Sequence, residues 1–191
     1  YAILGPIFSG PIGASMQISQ RAEVAQIVGG EAAGFTKQGN PYIFRTSLSQ
    51  TAAMPKIAKY LKDTVKAGSI AVVWVNNDFG KGGRDAILPE LEKAGIKVAV
   101  DVSTEQGQAD FTADAIKVKN ANADAVFVYL NEEGSARFLR AAKQQGITKP
   151  MIGETTLLGA KVLELAGDAA NGAKGHVGLS TDAPIPALQE F

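Results

Sequence analysis

Apolar residues in this chain gather in short runs, separated by longer stretches in which they recur every three or four positions. Four runs come at nearly even intervals: Ile70 to Val75, Val98 to Val102, Ala125 to Leu130 and Met151-Ile152. Between them, Ile87, Leu88 and Leu91, then Phe111, Ala115 and Val118, then Phe138, Leu139 and Ala142 mark helical stripes. Strand and helix alternating in this rhythm predict an α/β domain with a parallel sheet covered by helices. The valine-rich run at Ile70 to Val75 reads as a strand buried on both faces. Architectures of this kind bind small molecules at the carboxyl ends of their strands.

The flanking segments extend the pattern. Ala2 to Leu4 reads as a strand ended by Gly5-Pro6, and Ser9-Gly10-Pro11 as a loop into a helix striped by Ile12, Met16, Ser19 and Glu23. Val24 to Val28 and Tyr42 to Thr46 are further strands, with a Gly/Ala-rich loop from Gly29 to Asn40 between them. Met54, Ile57, Ala58, Leu61 and Val65 predict a helix stopped at Gly68; Ala94-Gly95 and Gln145-Gly146 end two later ones. Asn76 to Gly83 and Asn131 to Gly134 read as loops. The chain then predicts a helix over Leu157 to Leu165, a strand over Val177 to Leu179 and an extended linker at Ala183-Pro184-Ile185-Pro186.

Composition narrows the chemistry. Lysine and arginine number 19 against 19 acidic residues, so no overall field draws the 191-residue chain to nucleic acid or to an anionic membrane. Cysteine is absent, which excludes disulfides and thiol catalysis, and His176 is the single histidine, which argues against a histidine metal cluster or triad. The chain opens at Tyr1 without methionine or a basic, apolar leader, which predicts a mature or trimmed product with its signal segment removed.

Several residues invite a chemical reading. Gly80-Lys81-Gly82-Gly83 has the flavour of a phosphate-binding loop, but its spacing matches neither a Walker loop nor a dinucleotide fingerprint, which leaves a turn into a helix. Asp78-Phe79-Gly80 spells a kinase tripeptide with no catalytic-loop partner in the chain. Glu132, Glu133 and Glu154 lie near strand ends, where carboxylates either stand in solvent, pair for acid–base work or meet a ligand ammonium. Trp74 alternates within its strand and reads as core, and His176 reads as structural. Ser9 follows a strand-ending Gly-Pro and precedes a helix. Its hydroxyl suits either a helix cap or a carboxylate held at the helix N-terminus.

Six segments in order carry a resemblance: Gly5-Pro6-Ile7-Phe8-Ser9-Gly10, Tyr42-Ile43-Phe44-Arg45-Thr46, Asn77-Asp78-Phe79-Gly80-Lys81-Gly82, Asp110-Phe111-Thr112, Ala123-Asp124-Ala125-Val126-Phe127-Val128 and Ala166-Gly167-Asp168-Ala169-Ala170. Together they resemble the branched-chain amino-acid (Leu/Ile/Val) type of periplasmic solute-binding protein. The resemblance implies the type I periplasmic-binding fold: two α/β lobes, joined by three crossings, with the ligand between them. Residues 1–46 would be part of the first lobe, 47–180 a three-layer second lobe and 181–191 a crossover back to the first, making the chain an internal fragment. By the same resemblance Ser9 holds the ligand carboxylate, Gly29 contacts it through the backbone, and Glu31 stands where many members carry serine or threonine. Phe79 matches a cleft-lining aromatic. Asn131, with Glu132 beside it, lies where amino-acid binders present a tyrosine, and Glu154-Thr155 where they present a glutamate to the ammonium.

These implications favour a non-enzymatic protein that delivers a small solute, an amino acid or related carboxylate, to the membrane permease of an ABC importer. It would work without a cofactor or metal, in the periplasm or as a lipid-anchored extracellular protein of a Gram-positive source. A ligand-sensing regulatory or receptor module of the same fold is the alternative. A flavodoxin-like enzyme is a third reading, which would need the phosphate-cradling loop and reactive pair the sequence lacks. A fragment of such a protein would expose its interlobe surface, and dimerisation or domain swapping is expected of it.

Overall fold

The computed structural model describes residues 1–178 and 183–190. Two all-parallel sheets divide the chain. Strands β1 (Ala2–Leu4), β2 (Ala25–Val28) and β3 (Ile43–Arg45) form a three-stranded sheet in that order, with helix α1 (Ser9–Arg21) crossing from β1 to β2. The second sheet has five strands: β4 (Ser69–Val75), β5 (Lys97–Thr104), β6 (Ala125–Tyr129), β7 (Met151–Glu154) and β8 (Lys174–His176), in the order β5-β4-β6-β7-β8. Helices α2 (Gln50–Tyr60), α3 (Asp78–Ala94), α4 (Thr112–Ala121), α5 (Glu132–Gln144) and α6 (Ala160–Ala166) alternate with these strands, and a short α7 (Pro186–Gln189) lies near the end.

The strand order creates a crevice. The chain leaves β4 through α3 toward β5 on one edge, and leaves β6 through α5 toward β7 on the other. Adjacent strands whose outgoing connections diverge open a gap at their carboxyl ends, and α/β proteins bind ligands there. Every residue of β6 is buried and β4 nearly so, whereas β5 at the edge alternates between exposed and covered positions. The core of this larger body runs from Met54, Ile57 and Leu61 through Ile70, Val72, Phe127 and Tyr129 to Phe138, Leu157 and Val162.

The small sheet has its own core of Ile12, Met16, Val28, Ala32, Phe35 and Ile43. A buried polar knot fixes α1 to it. Gln26 Nε2 donates to the Gly5 carbonyl at 3.0 Å and to Ser15 Oγ at 2.8 Å, while Ser19 Oγ donates to Gln26 Oε1 at 2.8 Å. The other side of this sheet is open, with Leu4 and Phe44 exposed.

Several boundaries differ from the sequence reading. Asn76 to Gly83 is mostly helix, because α3 starts at Asp78 with Asn77 Oδ1 accepting from Gly80 N at 2.9 Å; α5 likewise starts at Glu132. The helix before β4 passes into a π turn (Leu61–Val65) and ends at Lys66 in the left-handed region (φ 60°), not at Gly68. Gly68 instead opens β4, its N–H and that of Ser69 both donating to Asp124 Oδ2. Glu23 leaves the α1 stripe, having φ 53° in the turn before β2. The segment Leu157 to Leu165 is split by Gly159 into a 3-10 turn (Thr155–Leu158) and α6. The last strand is Lys174–His176 rather than Val177 to Leu179, of which Leu179 lies outside the described residues. Pro186 begins α7 instead of ending a linker. Trp74 is only half-buried: its Nε1 donates to Asp101 at 2.7 Å and Arg84 lies over its ring.

Candidate functional site

The two sheets present their carboxyl ends to one another, and side chains from both meet there. Glu31 follows β2 on the small sheet, and its carbonyl accepts from Gln50 N at 3.1 Å, stitching that loop to the first turn of α2. Ser47 Oγ adds a bond to the Gly30 carbonyl across the same connection. From the large sheet come Tyr129 at the end of β6, Glu154 at the end of β7 and His176 at the end of β8. Phe79, in the first turn of α3, stacks on Tyr129 with ring centroids 4.2 Å apart.

One hydrogen-bonded chain orders this group. Gln50 Nε2 donates to the Phe79 carbonyl at 2.8 Å and to Tyr129 Oη at 3.1 Å, and Tyr129 Oη donates to Glu31 Oε2 at 3.2 Å. Glu154 is 3% exposed; its Oε1 accepts from Thr155 Oγ1 at 2.7 Å, while Oε2 has no N–H or hydroxyl donor among the described residues. Glu31 faces it. Burial, and then the hydrogen bond and charge of Glu154, push the Glu31 carboxyl up to about 9, against the smaller opposing pulls of Tyr129 and Arg45. Near neutral pH Glu31 therefore keeps its proton, and that proton supplies the donor Glu154 otherwise lacks. Burial, with the two glutamates behind it, raises the Tyr129 phenol as well, so it stays a donor. His176 is lowered by burial and by Lys56, with Glu154 pulling the other way.

Three glycines explain how these groups come so close. A Cβ on Gly80 would lie 1.7 Å from the Val75 carbonyl oxygen, one on Gly82 2.3 Å from Gln50 Oε1, and one on Gly83 2.1 Å from the Tyr129 ring. The glycine-rich segment that invited a phosphate reading is thus where α3 packs without side chains against β4, Gln50 and Tyr129.

Of the residues singled out from sequence, Glu31, Phe79, Glu154 and Thr155 belong to this assembly. Ser9 is the first residue of α1, 3% exposed, with an Oγ that bonds to nothing among the described residues and does not cap the helix. Gly29 packs on Ile7, with 3.5 Å between the position of a Cβ and Ile7 Cγ2. Asn131 precedes α5 and makes no side-chain capping bond. Glu132 reaches toward Gly159, and Glu133 faces Arg137 at 3.5 Å on the surface, so neither is Glu154's carboxyl partner; Glu31 is. Gln50 and Tyr129 were missed. Gln50 precedes Met54 by four positions on the apolar stripe of α2, and a polar residue in that place was the available signal. Among the described residues no group of three or more His, Cys, Asp or Glu is placed to hold a metal, and no helix is long and apolar enough to cross a membrane.

The chain has relatives among known proteins. A leucine-, isoleucine-, valine-, threonine- and alanine-binding protein of Pseudomonas aeruginosa is 31% identical over 137 residues, covering 72% of this chain and 37% of that protein. A leucine-specific-binding protein of Salmonella typhimurium is 28% identical over 139 residues, with the same coverages of 72% and 37%. Among solved structures, a leucine-binding protein from Thermotoga maritima superposes with a TM-score of 0.92 at 20% identity, over 100% of this chain and 55% of that one. A solute-binding protein of Rhodopseudomonas palustris in complex with 4-hydroxybenzoate gives 0.90 at 21% identity, over 98% and 52%. The chain thus spans about a third of the curated relatives and about half of these solved chains. The profile of the periplasmic binding protein family matches residues 1–191, and the chain belongs to that family.

Proposed function

We propose that this chain is part of the solute-binding component of an ABC importer, and that it grips a small solute reversibly between two lobes without transforming it. Residues 1–46 belong to the first lobe, 47–180 form the second, and 181–191 lead back toward the first. The observation that carries the reading is the meeting of Glu31, from one sheet, with Tyr129 and Glu154, from the other, where the carboxyl ends of both sheets face each other. Groups in such a place sense whether the lobes are apart or together.

Separated lobes admit the solute. Contacts made to both at once favour the closed form by their differential affinity. Ser9 holds a carboxylate at the start of α1, where its buried hydroxyl has no other partner and the helix N-terminus adds partial positive charge. Phe79 shapes the wall, and Glu154 with Thr155 closes from the second lobe. Asn131 and Glu132, at the start of α5, border the crevice beside β6. The P. aeruginosa and R. palustris relatives support an amino acid or related carboxylate as the solute class. A membrane permease receives the solute, and the protein works in the periplasm or outside a Gram-positive cell. Calorimetry of the intact protein with aliphatic amino acids, aromatic acids and amides tests this, and saturable binding of at least one class is expected. Heat signals indistinguishable from dilution for every class would contradict it.

A further inference from the structure

A hollow of about 570 Å³ opens at the amino end of the large sheet, away from the place where the two sheets meet. That volume lies within the range of small-molecule pockets. The π turn Leu61–Val65 brings Thr64 and Val65 to one wall. Opposite, the chain leaves the 3-10 turn Gly167–Ala170, bends at Gly172 with φ 83° and enters β8 at Lys174. Strand β7 runs between the two ends of the sheet. Its first residue, Met151, lines the hollow, and its last, Glu154, stands about 10 Å further along the strand. The hollow is therefore separate from the site at the carboxyl ends.

Its floor is apolar, with Leu139, Ile147, Met151 and Ala173. Its rim is cationic: Lys143, Lys149 and Lys174 against a single carboxylate, Asp168. None of these four makes an ion pair among the described residues. Lys149 stands near Asp124, but that carboxylate is already taken by the N–H groups of Gly68 and Ser69. Lys143 lies in the last turn of α5, where a cation suits the negative end of the helix. The same reason does not reach Lys149, in a loop, or Lys174, which opens a strand with its Nζ 6.0 Å from the centre of the Tyr60 ring. Lone lysines on a surface are ordinary. Three of them around an apolar floor repel one another, and an anion among them removes that repulsion while its apolar body covers the floor. Thr148 and Asn171 add neutral donors to the rim. A flat bilayer does not reach the bottom of such a hollow, whereas a dissolved molecule does.

We propose that the hollow between the π turn, the end of α5 and the start of β8 is a second binding site, for a small organic anion with an apolar body. The proposal stands apart from the solute-binding reading. Its probes are phenyl phosphate and octanoate, with benzyl alcohol as the uncharged counterpart. Each is titrated by calorimetry into the intact protein, its Lys143→Gln/Lys174→Gln variant and its Ser9→Ala variant. Both lysines are exposed, so the double variant should keep the thermal midpoint of the natural protein. The expected result is saturable binding of at least one anion, weakened about tenfold or more in the lysine variant and unchanged in Ser9→Ala. Two saturable phases, one removed by each variant, would equally support the site. Binding lost in Ser9→Ala and kept in the lysine variant would put the anion in the solute cleft and overturn the proposal. Benzyl alcohol binding as well as the anions, or no saturable binding of either anion, would also overturn it. None of these results touches the solute-binding reading, which is tested with its own panel.

Discussion

Glu31 is the carboxyl that meets Tyr129 and Glu154 where the two sheets approach. Folded, it keeps its proton to about pH 9; unfolded, it releases it near the ordinary value of 4.5. Between those limits the folded chain binds more protons than the unfolded one, so stability falls as pH rises, by at most about 1.4 kcal/mol per unit. Urea unfolding at pH 6, 7 and 8 should show that decline in the natural protein and a flatter profile in Glu31→Gln. Parallel profiles would mean that Glu31 does not carry the proton. Gln50 acts differently, as the one donor that orients Tyr129 and ties it to the Phe79 backbone. Gln50→Leu removes both bonds inside a buried site and should lower stability by about 1–3 kcal/mol, read as a shift in the denaturation midpoint with an unchanged slope.

At the scale of elements, the site depends on α3 lying flush against β4 and β6. Gly83→Ala places a methyl group where the Tyr129 ring stands, and Gly80→Ala places one on the Val75 carbonyl. Either should cost more than an ordinary overpacking change, about 1–3 kcal/mol or above, whereas Gly10→Ala, with nothing near its Cβ position, should be close to neutral by thermal melting. The elements themselves were legible in the sequence, because buried parallel strands are short continuous apolar runs and the helices between them are striped. What periodicity did not reveal were the ends. Asn77 caps α3 within the stretch to Gly83 that reads as a loop, and Lys66 adopts the left-handed conformation that Gly68 was expected to supply. The site was legible in part. Glu154 and Phe79 stand next to strand ends and could be found by position. The meeting of Glu31 with Glu154 and Tyr129 joins residues roughly a hundred or more positions apart in sequence, and only the approach of the two sheets brings them together.

The whole molecule joins a small sheet, open on one side, to a larger one with a complete core. The two touch through α1 against the start of α3, the β2 loop, the start of α2 and the Glu31–Tyr129–Glu154 contacts. A connection made of a few polar contacts rather than a broad apolar seam suits parts that separate and close again. The most direct measurement of that motion is the distance between spin labels on Lys37→Cys and Glu133→Cys, exposed positions beside the carboxyl ends of the two sheets, in the intact protein. With a saturating solute the account predicts a distance distribution that shortens and narrows, and that returns to its starting form when the solute is removed. An identical distribution with and without a tightly bound solute would contradict closure as the means by which this protein holds its ligand.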